Sequence, residues 1–285
     1  MTPLIHNRYL VTGGAGFIGS HICEEIVKQG KEVVCIDNMV AGKVENVESW
    51  WDDDLCMMVN EDVSNFDAIL QYFKDIDVVF HNAASKCTVC RNDPWKDLDV
   101  NAKGSFNVFE ASRHYGIKKV VHASTGSVFG GKPKSFYGVS KLAGESYLRA
   151  FREYHDFNFT AIRYHHVIGP RQESGPDGGV VPIFITKLLK GKPITIYGDG
   201  YQQRHFTYVK DVVDWNFKCE SEFDGEFINL AERDPMDLIQ LIQMLEEITG
   251  IKAKVEYQPT RQGDIKRFDI NDSVIKKHDF YWSRF

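Results

Sequence analysis

Tyr137 and Lys141 lie four positions apart in the run Tyr137-Gly138-Val139-Ser140-Lys141, which puts a phenol and an ammonium on one face of a helix. A free tyrosine titrates near pH ~10 and is a poor base at neutrality. Lowering it by about 3 units requires about 4 kcal/mol in favour of the phenolate. A cation within ~4–6 Å acts in that direction. Much earlier in the chain, Gly13-Gly14-Ala15-Gly16-Phe17-Ile18-Gly19 has the glycines a phosphate-cradling turn needs. Either feature alone is weak. A tyrosine can simply cap a loop beside a solvated lysine, and a glycine run can simply be a turn.

The elements that must position these groups strengthen both. Short apolar runs at Tyr9–Val11, Glu32–Ile36, Cys56–Val59, Val78–His81, Val120–Ala123 and Phe159–Arg163 read as strands. Amphipathic stretches lie between them, such as Ser20–Gln29 with Ile22, Ile26 and Val27 on one face and Gly30 at its stop. Strand–helix repetition of this kind predicts an α/β fold of Rossmann type, a doubly wound parallel sheet. Gly13, Gly16 and Gly19 follow a strand and open a helix, the context a dinucleotide fingerprint requires. Gly13 permits the turn, Gly16 the close approach, and Gly19 the helix–sheet contact. The amides of Phe17 and Ile18 open that helix and face the pyrophosphate. Asp37 closes the second strand, followed by Asn38. A carboxylate there accepts from a ribose diol and repels a 2′-phosphate, so NAD is expected rather than NADP, although Lys43 follows shortly.

After Gly169-Pro170 the pattern changes: a glycine-rich loop, a helix over Val180–Lys190, one more sheet strand at Phe227–Leu230, and a helix over Asp237–Gly250. The expected organisation is a dinucleotide-binding domain over residues 1–165, with part of 205–230 returning to it, and a smaller, partly interleaved lobe over 166–285.

Composition bounds the alternatives. The 285 residues are 43% apolar and 26% charged, with a net charge of −6 and no basic stripe, which argues against nucleic acid as a partner. No apolar run reaches the roughly 18 residues a bilayer span needs. The first strand begins almost at Met1, leaving no room for a signal peptide, so a cytoplasmic location is expected. The six cysteines are scattered and read as reduced thiols. Cys87-x-x-Cys90 has no second pair or histidine partner nearby, so no metal centre is expected.

Together, the glycine fingerprint and Tyr137-x-x-x-Lys141 resemble the extended short-chain dehydrogenase/reductase superfamily, closest to its UDP-glucose 4-epimerase-like nucleotide-sugar epimerases, over nearly the whole chain. That resemblance implies adenine contacts at Asp62 and Val63, a cofactor-lining turn at His81-Asn82-Ala83-Ala84, and further cofactor contacts at Lys86 and Asn101. Ser124-Thr125-Gly126 looks like the family segment that places Thr125 at the catalytic hydroxyl beside Tyr137 and Lys141. The run Arg163 to Pro170 is similar to the segment that brings Tyr164, His165 and Val167 to the cofactor and His166 to the substrate. Val180, Thr195, Tyr197, Arg204, Arg261 and Asp264 are the implied sugar-nucleotide contacts, with the two arginines as diphosphate clamps.

The resemblance implies an NAD enzyme that oxidises a nucleoside-diphosphate sugar to a transient keto-sugar. The dehydratase branch places Asp-Glu directly after the threonine, and a decarboxylase carries Glu where Ser127 stands. Here the positions are Gly126 and Ser127, which favours C4 epimerisation. Dehydratase, decarboxylase, reductase and non-catalytic scaffold remain as alternatives. His166 replaces the family's asparagine, either as a neutral hydrogen-bonding group or as one titrating near pH ~6.5. His205 replaces an aspartate, and the connection from Phe129 to Tyr137 is short. The helix at 136–154 carries Leu142, Tyr147, Leu148 and Phe151, more apolar surface than one sheet face needs. In the family that helix pairs across a dimer, and a homodimer is expected.

Overall fold

The computed structural model describes residues 1–175, 178–231, 234–260 and 266. Its centre is a sheet of seven parallel strands: β1 (Arg8–Thr12), β2 (Glu32–Ile36), β3 (Cys56–Val59), β4 (Val78–His81), β5 (Lys119–Thr125), β6 (Phe159–Tyr164) and β11 (Glu226–Leu230). Their spatial order is β11-β6-β5-β4-β1-β2-β3. The strand order reverses beside β1, between β2 and β4, and the crevice at the C-terminal strand ends there is where such sheets hold ligands.

The strands form because they are nearly continuous apolar runs, as a sheet covered on both faces requires. Alternate residues serve opposite layers. Tyr9, Val11 and Cys35 join one buried cluster with Ile22 and Ile26 of α1 (Phe17–Lys28) and Val212 and Val213 of α8 (Val209–Lys218). Leu10, Val34 and Val79 join the other, with Ile69 of α2 (Phe66–Leu70), Val108 and Phe109 of α5 (Gly104–His114) and Leu148 and Phe151 of α6 (Phe136–His155). Each such side chain, fully buried, contributes roughly 1.5–3 kcal/mol.

Two short helices, α3 (Cys87–Asn92) and α4 (Pro94–Asp97), follow β4. A π-helical turn over Leu98–Lys103 then leads into α5. Hydrophobic periodicity does not foresee that turn, since both windings keep the same apolar stripe. In the second half, α7 (Val180–Leu189), α9 (Leu238–Thr249) and the parallel pair β8 (Ile194–Tyr197) and β13 (Val255–Gln258) enclose a third apolar cluster built on Phe184, Leu188, Ile196 and Leu241. Two-residue strands complete it: β7 (Val167–Ile168) with β10 (Thr207–Tyr208), and β9 (Gln203–Arg204) with β12 (Met236–Asp237). Among the described residues no helix is long and apolar enough to cross a membrane.

Candidate active site

A cleft of about 600 Å³ opens at the C-terminal ends of the strands. Its floor is the turn after β1. Gly13 has φ +69, and a Cβ there would meet the Ala83 backbone nitrogen at 2.7 Å, so only glycine fits between the turn and the β4 loop. Gly16 caps α1 without a side-chain hydrogen bond. The first-turn N–H groups at Phe17, Ile18 and Gly19 therefore lack intrahelical acceptors and line the cleft with their partial positive charge. Asp37 is buried at the end of β2. Its Oδ2 accepts from Ala15 N at 2.9 Å and its Oδ1 from Met39 N at 2.8 Å, which fixes the carboxylate beside the cradle. Burial pushes this carboxyl upward, and the two backbone donors oppose that. Asn38, Asp62, Val63, Asn82, Ala83, Ala84 and Lys86 also line the cleft. Asn38 Nδ2 donates to Asp62 at 2.6 Å, tying the β2 and β3 loops together.

Tyr137 and Lys141 stand at the other end. Ser135 caps α6 by accepting from Gly138 N at 3.1 Å, so Tyr137 falls in the first turn and Lys141 one turn on. Both line the cleft, with Ala123 and Ser124 of β5 and Tyr164 of β6. Thr125 ends β5 and accepts from Ser127 N at 3.2 Å. Burial pushes the Tyr137 phenol upward, and the Thr125 hydroxyl beside it pulls the other way. Lys141 is almost fully buried, donates to Ala123 O at 2.8 Å, and is brought down to about 8 by that burial. The protein alone thus raises the phenol where the spacing of Tyr137 and Lys141 suggested it would be lowered. Desolvation, with the Cys87 and Cys90 thiols adding to it, outweighs the Thr125 hydrogen bond.

Helix α6 is anchored from behind. Arg163 forks onto Glu145, Nε to Oε1 at 2.8 Å and Nη2 to Oε2 at 2.7 Å, and Ser124 Oγ donates to the same Oε1 at 2.7 Å. Glu145 is fully buried, so this cluster joins β5, β6 and α6 directly beneath Thr125 and Lys141.

Several expected contacts lie away from the cleft walls. Asn101 is fully buried behind them: its Nδ2 donates to Asp97 and Ser85 O, and its Oδ1 accepts from Ser85 N at 2.8 Å. It shapes the β4 loop and does not line the cavity. Thr125, His165, Val167, His166, Val180, Thr195, Tyr197 and Arg204 are likewise not among the lining residues. His165 and His166 are held neutral by burial, at about 4 and about 3, with neighbouring His205 adding to the effect at His165 and the Arg204 guanidinium at His166. His166 adopts φ +31, a left-handed backbone for which asparagine and histidine are among the better-suited non-glycine residues. Arg261 and Asp264 lie outside the described residues.

Sequence reasoning missed the segment at 171–173, which turns at Arg171 with φ +67. Arg171 pairs with Glu24 of α1 at 2.6 Å, and Glu173 pairs with Lys86, so this segment borders the cleft opposite the cradle. Ion pairs between loops far apart in sequence leave no periodic signal. Ala41, Gly42 and Asn46 also escaped notice. They enter because Asn46 Nδ2 bonds Ala15 O at 2.9 Å, folding the 40s back onto the turn.

The residues fit a dinucleotide: free helix amides for a pyrophosphate, a fixed carboxylate for a ribose, a turn no Cβ could enter, and Asn82 Nδ2, buried at the cleft without a hydrogen-bond partner. Comparison with known proteins agrees. The chain is 34% identical to the UDP-glucose 4-epimerase of Mycolicibacterium smegmatis, over 95% of its own length and 91% of that protein. The UDP-glucose 4-epimerase of Thermotoga maritima, solved with UDP-glucose, superposes with a TM-score of 0.89 at 32% identity, covering 95% of this chain and 91% of that one. The Thermus thermophilus UDP-glucose 4-epimerase, solved with NAD, gives 0.83 at 34% identity, with 91% and 89% covered. Residues 9–231 match the NAD dependent epimerase/dehydratase family as a whole, cradle and proton-handling pair included, and the chain belongs to that family.

Proposed function

We propose that the protein is an NAD-dependent nucleotide-sugar epimerase that inverts C4 of a UDP-hexose through a transient 4-keto sugar. One observation carries the reading: a single cleft holds a dinucleotide cradle at one end and Tyr137 with Lys141 at the other. Thr125 orients the sugar hydroxyl, Tyr137 takes its proton, and Lys141 supplies positive charge beside the phenolate. Bound NAD supplies the hydride acceptor and donor that side chains cannot, and its positive ring favours the phenolate that burial disfavours. Rotation of the keto sugar between the two transfers inverts the carbon. Gly13, Gly16, Asp37, Asp62 and Lys86 hold the cofactor, and Arg204, His166 and Tyr197 belong to the sugar-nucleotide side.

Elimination of water needs an acid and a base next to Thr125. The neighbouring positions are Gly126 and Ser127, and the His165 ring packs so closely over Gly126 that a Cβ would collide with it. That packing favours epimerisation over dehydration or decarboxylation. The sheet half is the cofactor domain and the half around the third apolar cluster the substrate lobe. The protein works as a homodimer in a reducing, cytoplasmic compartment. Incubation with UDP-glucose, UDP-galactose and their N-acetyl forms, read by NMR, tests the activity. Interconversion at C4 is expected; a 4-keto-6-deoxy product, or no turnover with NAD bound, would overturn the reading.

A further inference from the structure

Asp97 ends α4 with only 4% of its surface exposed. Its Oδ1 accepts from Asn101 Nδ2 at 2.7 Å and from Ser140 Oγ at 2.9 Å, while the nearby Cys90 thiol donates to Ser85 O at 3.5 Å. Ser140 directly precedes Lys141 on α6. Among the described residues Asp97 takes part in no contact ion pair, and every interaction it makes is with a neutral donor or acts through space. A carboxylate removed from water with no cation to balance it is costly. The buried cation within electrostatic reach is Lys141, 1% exposed and itself bonded only to the Ala123 carbonyl.

We propose that Asp97 is a positioning residue for Lys141: its buried carboxylate is the counter-charge that keeps this lysine an ammonium, and its bond to Ser140 holds the lysine's turn of α6 in place. The surroundings support this assignment. Burial brings Lys141 down, and Asp97 is the strongest influence raising it, ahead of Cys90. His81 on β4 and His122 on β5 face the same lysine, but burial keeps both neutral and they carry no compensating negative charge. The carboxylate also pushes the Tyr137 phenol upward, yet there it is the weakest influence, behind burial, Cys87 and Cys90. The bond from Ser140 to Asp97 places that carboxylate beside the lysine's own turn of α6.

The proposal borrows from the epimerase reading only for its kinetic arm. The test uses the full chain with ¹⁵N- and ¹³C-labelled lysine, the Lys141 signal being assigned with Lys141→Arg. NMR titration of Lys141 in Asp97→Asn should move the midpoint down by at least about one pH unit. The alkaline limb of kcat with UDP-glucose should move by the same amount, with little change in KM. Asp97→Glu should restore the midpoint, and Ser140→Ala, which removes the hydrogen bond but not the charge, should leave it in place. If the asparagine variant does not fold, Asp97→Ser must show the same downward shift. An unmoved Lys141 titration in the neutral variants, or an equal shift in Ser140→Ala, would overturn the proposal. A shifted titration in a protein that converts no UDP-sugar would instead sink the epimerase reading and leave this one standing.

Discussion

Tyr137 is caught between two opposed effects. It lines the cleft, where desolvation stabilises the neutral phenol, while the proposed chemistry needs the phenolate. Lys141, brought down to about 8 by burial, is still largely an ammonium at neutral pH, yet the phenol stays raised. A base that ionises only beside a bound positive ring has a mechanistic advantage: it is active only when the hydride acceptor is in place. Tyr137→Phe should therefore retain bound NAD, measured by absorbance of the released nucleotide, and lose about 10²–10⁴-fold in kcat, the worth of a positioned proton transfer. Near-normal turnover in this variant would remove Tyr137 from the mechanism.

The element that matters most is α6, which carries Tyr137 and Lys141 in its first turns and Leu148 and Phe151 further along the same buried side. Ser135 sets where it starts, and Glu145 sets how it sits on the sheet. Among the described residues the buried Glu145 carboxyl is bonded by the side chains of Arg163 and Ser124. Glu145→Leu leaves the largely buried Arg163 guanidinium unpaired and should cost about 3–5 kcal/mol of unfolding free energy. The double variant Glu145→Leu/Arg163→Leu should recover much of that loss in chemical denaturation. Equal destabilisation in the single and double variants would show that the pair contributes by packing rather than charge.

At the scale of the whole molecule, several histidines are folded in neutral. His165 and His166 sit at about 4 and about 3, and His81 and His122 are also held below the ordinary value by burial. Their unfolded forms titrate near ~6.5. Between there and about 4 the unfolded chain binds more protons than the folded one, so stability rises with pH across that window and is lost on acidification. Thermal denaturation should show Tm falling from pH 6.5 to 5, above the range where the carboxylates titrate. A flat profile would contradict it. The outer face of α5 and α6 presents Phe106 and Tyr147 in ring contact at 5.1 Å, each 40% exposed, next to Val139 and Tyr154. Leu148 and Phe151 were taken up by the core, so this second stripe is what is left for a partner copy. Sedimentation should give a dimer for the native chain and a monomer for Phe106→Asp/Tyr147→Asp. A monomeric native protein would end the proposal.

The cradle, Asp37 and the Tyr137–Lys141 pair could be read from the sequence because each is a local motif. Their spacing along one turn, strand end or helix face already determines their geometry. The parallel, doubly wound sheet followed for a similar reason, since alternating strands and helices leave few ways to wind. Other features depended on residues distant in the chain. Asn101 withdrew from the cleft because Asp97 and Ser85 claim its side chain. Glu173 reached Lys86, and the His165 ring closed over Gly126. The ionisation of Tyr137 reversed direction for the same reason: desolvation is set by the whole surrounding fold, while sequence spacing reports only the nearest charge.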